Sequence, residues 1–357
     1  MRWTHRTLDE LGYVSRGRSR HRPRDAAHLY GGPYPFVQTG DVKHSTLYLT
    51  TYSQTYSEAG LAQSRLWNAG TLCITIAANI ADTAILGINA CFPDSVIGFV
   101  PNDEKADARF VKYLFDVMLQ KRFKQFTQGA AQDNLSQTKL LSLKFPVPDL
   151  MEQRRLASIL SAYDDLIENN RRRIQLLEQA ARLLYKEWFV HLRFPGHEHV
   201  TITDGVPEGW ERKPLGDIAD TNVDSYKVGA LPDEINYIDI SSVAQGRIVT
   251  KTAMLSPDAP GRARRKAKSG DVIWSNVRPN LLAYALVLDA ADNDVFSTGF
   301  TVLSPSAVPF SYLYLLVTTD EFVGHLMNHT TGTSYPAVRP TDFEWVQSQN
   351  VVTTVHS

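Results

Sequence analysis

Residues Met151 to Val190 read MEQRRLASILSAYDDLIENNRRRIQLLEQAARLLYKEWFV, and two apolar rows run through them with a heptad repeat. One row is Leu160, Ile167, Ile174, Ala181 and Trp188. The other is Leu156, Tyr163, Asn170, Leu177 and Leu184. The rows alternate by four and three residues, the a and d spacing of a coiled-coil seam, in which a polar residue such as Asn170 sets the register. Charged residues fill the other faces, among them Arg154, Asp164, Glu168, Arg171 and Lys186. The spacing predicts a helix on the order of 55 Å long at 1.5 Å per residue, with a seam that requires a second helix to cover it.

The flanks of this helix repeat one another. Trp3, Leu8 and Leu11 answer Trp210, Leu215 and Ile218. Pro35 to Val42 answers Asn236 to Val243. Gly70-Thr71-Leu72, Asn79 and Leu86 align with Gly270-Asp271-Val272, Asn280 and Leu286. Gly98-Phe99 aligns with Gly299-Phe300, and Tyr113-Leu114 with Tyr314-Leu315. A small-residue turn closes each copy, Gly129-Ala130-Ala131 and then Gly332-Thr333-Ser334. A period of roughly 200 residues signals two whole domains, not a solenoid of short repeats.

Within each copy the apolar runs are short and β-branched: Leu72 to Ile76, Val96 to Val100, Tyr237 to Ile240, Val272 to Trp274 and Phe300 to Leu303. Helix-like stretches, Ala108 to Phe126 and Tyr312 to Met327, precede the small-residue turns. The expected class is α+β, each copy a small irregular sheet with packed helices. A chain of 357 residues, 43% hydrophobic, can bury two such cores. It has no run of about 18 apolar residues to cross a membrane. Met1 to Arg6 does not read as a signal peptide, and two cysteines, Cys73 and Cys91, form no disulfide framework. A cytoplasmic protein is expected.

The net charge of −1 conceals local basic runs. Arg16, Arg18, Arg20, Arg22 and Arg24 crowd one Gly/Ser/Pro-punctuated loop together with His21. Arg262, Arg264, Arg265, Lys266 and Lys268 form a second run in the second copy, and Lys121, Arg122 and Lys124 a third. A lone charge run is an ordinary solvated surface; two dense basic loops, one per repeat, point to nucleic acid. Arginine forks suit phosphate oxygens and the O6/N7 edge of guanine, and such local patches matter more than the total charge.

The stretch Phe145-Pro146-Val147-Pro148-Asp149-Leu150-Met151-Glu152-Gln153-Arg154-Arg155-Leu156-Ala157, continuing through Tyr163-Asp164-Asp165-Leu166-Ile167-Glu168-Asn169-Asn170 to Trp188-Phe189-Val190, resembles the central conserved region of type I restriction-modification specificity subunits. Val206-Pro207-Glu208-Gly209-Trp210, Gln38-Thr39-Gly40-Asp41-Val42 and Asn134-Leu135-Ser136 are similar to that family's entry and domain motifs. The resemblance implies two pseudo-repeated target recognition domains joined by a long coiled-coil helix. The expected division is 1–150 for the first recognition domain, 151–190 for the helix, 191–208 for a linker and 209–345 for the second domain. It also implies a non-catalytic subunit that reads a bipartite double-stranded DNA target. Methyltransferase (modification) subunits and, through them, ATP-dependent endonuclease (restriction) subunits would supply the chemistry. S-adenosylmethionine, ATP and magnesium would belong to those partners, with no cofactor here. DNA contacts are expected from Arg16, Arg18, Arg20, His21, Arg22 and Arg24, and from the strand end at Gln38, Thr39 and Asp41. In the second domain they are expected from Ser241, Ser242, Arg264, Arg265 and Arg278.

Residues 346–357 depart from the family, which normally continues into a second conserved helix. A frameshift or gene break after Phe343 would give such an ending; the alternative is a short form that takes its partner helix from elsewhere. The bare seam would then favour self-association. Catalytic readings find no support: there is no Gly-Lys-Ser/Thr phosphate loop and no Asn-Pro-Pro-aromatic methylation motif. His197-Glu198-His199 lacks a third metal ligand in view. Competing with the DNA reader are a coiled-coil adaptor with two protein-binding domains and a non-functional truncated remnant. A protein adaptor has no need of five arginines in one loop.

Overall fold

A computed structural model of the chain describes residues 3–77, 80–126, 135–332 and 336–346, with the backbone alone for 119–126. Asn79, Gly129-Ala130-Ala131, Asn134, Thr333-Ser334 and residues 347–357 lie outside the described residues, as do the side chains of Lys121, Arg122 and Lys124. The chain divides into two compact units, Met1–Arg173 and Ile174–Ser357.

The first unit opens with β1 (Thr4–Arg6), α1 (Leu8–Leu11), β2 (Gly12–Arg16), β3 (Tyr30–Phe36), α2 (Thr39–His44), β4 (Tyr48–Leu49) and β5 (Gln54–Tyr56). It continues through α3 (Glu58–Ala62), β6 (Leu66–Trp67), β7 (Leu72–Thr75), β8 (Thr83–Leu86), β9 (Ala90–Cys91) and β10 (Val96–Pro101). Then come α4 (Ala108–Phe126), α5 (Gln137–Ser142), β11 (Phe145–Val147) and the start of the long helix α6 (Leu150–Tyr185). One sheet has the order β2-β10-β7-β8-β4. A second has the order β5-β3-β9-β6, with β3 and β9 parallel.

Strand alternation explains the layering. Leu72, Ile74, Ile97 and Phe99 pack with Phe110 and Phe115 of α4 and Leu140 of α5. Cys73, Ala84 and Val96 point the other way, into a core with Val37, Trp67 and Phe92. Successive side chains of a strand leave opposite faces, so both faces of the first sheet are covered. Each fully buried Leu or Phe contributes about 1.5–3 kcal/mol.

The second unit contains β12 (Ile202–Thr203), β13 (Val206–Pro207), β14 (Ala219–Thr221), β15 (Glu234–Ile238), β16 (Val243–Ala244), β17 (Arg247–Ile248), β18 (Thr252–Leu255) and β19 (Ala263–Arg265). It ends with β20 (Val272–Ser275), β21 (Tyr284–Leu286), β22 (Asp294–Ser297), β23 (Phe300–Pro305), α7 (Phe310–Leu316), α8 (Asp320–Asn328) and α9 (Pro340–Glu344). The duplication is written in its topology. The order β14-β23-β20-β21 reproduces β2-β10-β7-β8, and β18-β15-β22-β19 reproduces β5-β3-β9-β6. In both copies the central pair of the second sheet is parallel and its edges antiparallel.

Hydrogen-bond register corrects the alignment in two places. Leu72 faces Ile85 and Val272 faces Leu286, so the counterpart of Leu286 is Ile85, not Leu86. Gly12 faces Pro101 and Ala219 faces Pro305, which makes Phe99 equivalent to Leu303 and Gly98 to Val302. The Gly98-Phe99 and Gly299-Phe300 match is therefore coincidental. Pairing has the final word because a slip of one residue would turn every side chain to the opposite face. Two element expectations also change. The stretch Tyr312 to Met327 forms two helices, interrupted where Thr319 caps α8 through a bond from Phe322 N. The run Tyr237 to Ile240 leaves the sheet after Ile238.

Helix α6 docks on the first unit by a stripe that takes in only Leu156 of its seam. Gln153, Ala157 and Ser161 are buried. Gln153 Nε2 donates to Lys105 O and Pro148 O at 3.0 Å, its Oε1 accepts from Asp107 N, and Asp164 Oδ2 accepts from Tyr113 Oη at 2.6 Å. The row through Leu160, Tyr163, Ile167, Ile174 and Leu177 stays exposed, Tyr163 at 64% and Leu177 at 67%. Regular α-helix ends at Tyr185; Lys186–Val190, with Trp188, wind as a π-turn, so the heptad phase stops before its predicted end.

Gly98 tests the packing between the sheets of the first unit. A Cβ there would lie 2.7 Å from the Trp67 ring and 2.8 Å from that of Phe92, two rings stacked 4.9 Å apart. Gly98→Ala should cost about 1–3 kcal/mol, seen as a lower urea midpoint for the first unit.

Candidate nucleic-acid interface

In each unit the parallel pair sends both carboxyl ends the same way, so the turns after β3 and β9, and after β15 and β22, collect at one end of a sheet. Antiparallel β6 and β19 begin at that same end, because Leu66 faces Cys91 and Ala263 faces Ser297.

In the first unit the Arg16–Arg24 loop is fastened to the turn after β9. Gly17 N donates to Val96 O at 2.9 Å and Arg18 N to Phe92 O at 3.1 Å. Arg16 Nε donates to Asp94 O, and Arg24 forms a two-pronged pair with the Asp94 carboxylate at 3.0 and 3.1 Å. Arg22 folds back onto Ser19 O and His21 O, while His21 stacks edgewise on His28. The five arginines are thus not equivalent. Arg18 and Arg20 are exposed with no salt bridge among the described residues, whereas Arg16, Arg22 and Arg24 hold the loop in shape.

The segment Gln38 to Asp41 opens α2. Asp41 Oδ2 accepts from Gln38 N at 2.8 Å and from Ser53 Oγ, so this carboxylate caps the helix. Thr39 is the first helical residue. Gln38 Nε2 bonds Gln54 Oε1 at 2.6 Å, leaving a polar edge on this end of the sheet.

Sequence reasoning missed the segment that braces the loop. Gln63 Oε1 accepts from Arg20 N and His21 N, and Ser64 Oγ donates to Arg18 O at 2.8 Å. Arg65 follows, its guanidinium 4.0 Å from the Trp67 ring and 4.9 Å from that of Tyr13. Lone residues in a mixed loop carry no motif; only the antiparallel pairing with β9 brings them beside the arginines.

In the second unit the counterpart turn is Asp239 to Ser242. Its Asp239 Oδ1 accepts from Ser241 Oγ, Ser242 Oγ and Ser242 N at 2.7–3.0 Å. Burial pushes this carboxyl up, but the serine bonds, with Arg262 nearby, hold it below the ordinary carboxylate value. Ser242 is only 6% exposed, because its hydroxyl belongs to this cap. Ser241 is exposed. Arg262 O accepts from Thr298 N, and Asn276 N donates to Gly299 O, drawing both onto the same rim. Arg278 stands exposed in the left-handed region at φ +50°, its N–H donating to Pro336 O. A non-glycine residue held there is strained, a condition that clusters at functional sites. Arg264 bonds Gly261 O, and Lys266 pairs with Asp224. Arg265 turns to Ser225 Oγ at 3.1 Å, and burial lowers its guanidinium pKa.

This chemistry suits recognition. Exposed guanidinium and hydroxyl groups surround a scaffold of capped turns. Among the described residues no group of three His, Cys, Asp or Glu is placed to hold a metal, and no helix is long and apolar enough to cross a membrane. Cys73 and Cys91 are buried free thiols, both with pKa raised by burial.

Comparison with known proteins agrees with this chemistry. Residues 2–179 match the family described as the type I restriction modification DNA specificity domain. The chain is 26% identical over 224 residues to the type I restriction enzyme MjaIX specificity subunit of Methanocaldococcus jannaschii, covering 60% of this chain and 51% of that protein. It is 24% identical over 242 residues to the MjaVIII specificity subunit of the same organism, covering 64% and 56%. The chain thus spans about half the length of these curated relatives. The crystal structure of a type I restriction-modification S subunit from M. genitalium shares the fold, with a TM-score of 0.54 at 16% identity over 90% of this chain and 77% of that one.

Gly17 is the hinge on which the basic loop sits, since a Cβ there would fall 2.2 Å from Phe92 O and 2.4 Å from Pro93 O. Gly17→Ala should lift the loop, so that trypsin cuts after Arg18 or Arg20 several-fold faster under native conditions. Cleavage at the wild-type rate would mean the loop is held by its side chains alone.

Proposed function

We propose that this chain, whose residues 2–179 match the type I restriction modification DNA specificity domain, is the DNA-reading subunit of such a complex. Each of its two duplicated domains reads one half of a bipartite duplex target. One observation carries the reading: both units repeat a two-sheet plan and place arginine at the end of the sheet where the parallel strands finish. Arg18 and Arg20 are the foremost DNA contacts of the first domain, with His21 and Gln38 beside them. Ser241, Arg262 and Arg278 serve the second. Arg16, Arg22, Arg24, Asp41 and Ser242 hold these surfaces in shape.

Methylation and cleavage belong to modification and restriction subunits, which bring S-adenosylmethionine, ATP and magnesium. The exposed apolar row of α6 is the surface on which we place a helix of the modification subunits or of a second copy. A contiguous apolar stripe of this kind exceeds what soluble monomers usually leave open. In this reading α6 also sets the gap between the two half-sites.

Three outcomes follow. Affinity for random duplex DNA should fall steeply with salt, and Arg18→Ala together with Arg20→Ala should reduce the slope by about two units, one per phosphate contact. A flat salt response would favour a protein-binding adaptor. Inserting seven residues into α6 keeps the seam in phase and adds about 10 Å, so the preferred spacer should lengthen by roughly three base pairs while both half-sites stay the same. Leu177→Asp should abolish helix-mediated association measured by sedimentation and leave the salt dependence of DNA binding intact.

A further inference from the structure

Arg65 is not part of the basic loop, yet a hydrogen bond and two aromatic rings hold it at that end of the first domain. Its Nη1 donates to Tyr13 Oη at 2.8 Å, and its Cζ sits over the Trp67 ring, 4.0 Å from the centroid. Trp67 is itself locked, 2% exposed and stacked on Phe92. Tyr13 is exposed on β2, so the arginine rests on a wall and keeps its outer edge to solvent. No other acceptor for its guanidinium exists among the described residues, and no carboxylate pairs with it, in contrast to Arg24. Gln63 and Ser64, immediately before it, hold the backbone of Arg18, Arg20 and His21.

The second domain has a partial counterpart, a hydroxyl-bound arginine that is partly buried. β19 corresponds to β6, and Arg265 on it donates to the hydroxyl of Ser225, in the segment that leaves β14, the counterpart of β2. Arg65 immediately precedes β6 and Arg265 ends β19, and each donates to a hydroxyl, the first to Tyr13 on β2 and the second to Ser225 beyond β14.

We propose that Arg65 is a specificity-determining residue of the first domain, presenting its guanidinium fork to the acceptor edge of one base, with guanine O6 and N7 the best geometric match. The inference rests on the DNA-reading function proposed above. A phosphate contact asks only for a positive charge nearby, which a mobile side chain supplies. A guanidinium seated over the Trp67 and Tyr13 rings, with one N–H already committed to Tyr13 Oη, is restricted in the direction in which it offers its remaining donors. That is what discrimination among base edges requires. Lysine, a point charge on a flexible stem, would not substitute for it.

Duplexes selected from a randomised library by the full wild-type chain provide the probe. Arg65→Ala should lower the ratio of selected to scrambled affinity by roughly 5- to 100-fold, relaxing one base position in one half-site and leaving the salt slope unchanged. Arg65→Lys should behave like the alanine variant, and Tyr13→Phe should give a smaller loss at the same position. Thermal melting by circular dichroism shows whether each variant is folded, and Arg65→Lys carries the test if the alanine variant is not. Uniform weakening on all duplexes, with the slope reduced by about one unit, would make Arg65 a phosphate contact and overturn the proposal. Unchanged discrimination in folded Arg65→Ala or Arg65→Lys would overturn it as well. If the wild-type chain selects no duplex and its binding is flat with salt, the DNA-reading function itself fails before any variant is compared, and this inference falls with it.

Discussion

Parallel pairing of the two central strands, β3 with β9 and β15 with β22, is the constraint on which each domain depends. Parallel neighbours cannot be joined by a tight turn, so the chain must leave the sheet and return by a long crossover. In both units that crossover runs through the other sheet, which is why the two sheets pack face to face around Trp67 and Phe92, or around Ile273 and Phe296. The same pairing brings two carboxyl-terminal turns to one end, where main-chain groups left by the strands need partners. Asp41 and Asp239 meet that need as caps.

Once those turns are fixed, arginines near them divide into two kinds. Those with a carboxylate or carbonyl in reach stay exposed but are tied to it and define the loop, as Asp94 does with Arg16 and Arg24. Those without one stay outward as a local positive field, largely undiminished by the near-neutral charge of the whole chain. Pairing with Asp94 does not remove Arg24 from service, since a guanidinium has five donors. It does mean that the loop arrives at a ligand already shaped, with less ordering entropy to lose on binding.

Helix α6 obeys two demands on two faces. A polar and small-residue stripe, Gln153, Ala157 and Ser161, anchors it by hydrogen bonds and close approach to the first domain. Apart from Leu156 and Tyr185, which pack into cores, most of the large apolar residues lie off that stripe and remain exposed. Had the helix been only a covering for its own domain, the large side chains would occupy the docking face. Their placement elsewhere is the physical reason to expect another helix against them.

The helix, its seam, the strand-forming runs and the existence of two copies were legible in the sequence. Each is a local periodicity or an ordered recurrence, and α4 spans the residues its apolar pattern indicates, Ala108–Phe126. Which glycine of one copy matches which residue of the other was not legible, because a few residues gained in a loop shift an alignment invisibly while hydrogen-bond register does not tolerate it. Nor could composition separate Arg18 and Arg20 from Arg16, Arg22 and Arg24, or disclose that Ser242 is buried in a cap. Arg65 lay outside every motif. Residues 13, 65 and 67 meet only when β2 and β6, edge strands of different sheets, are brought together by the packing of those sheets. The sequence by itself determined the elements and their duplication, since those depend on neighbours along the chain. The tertiary structure alone decided which side chains face outward to a ligand, since that depends on partners many residues away.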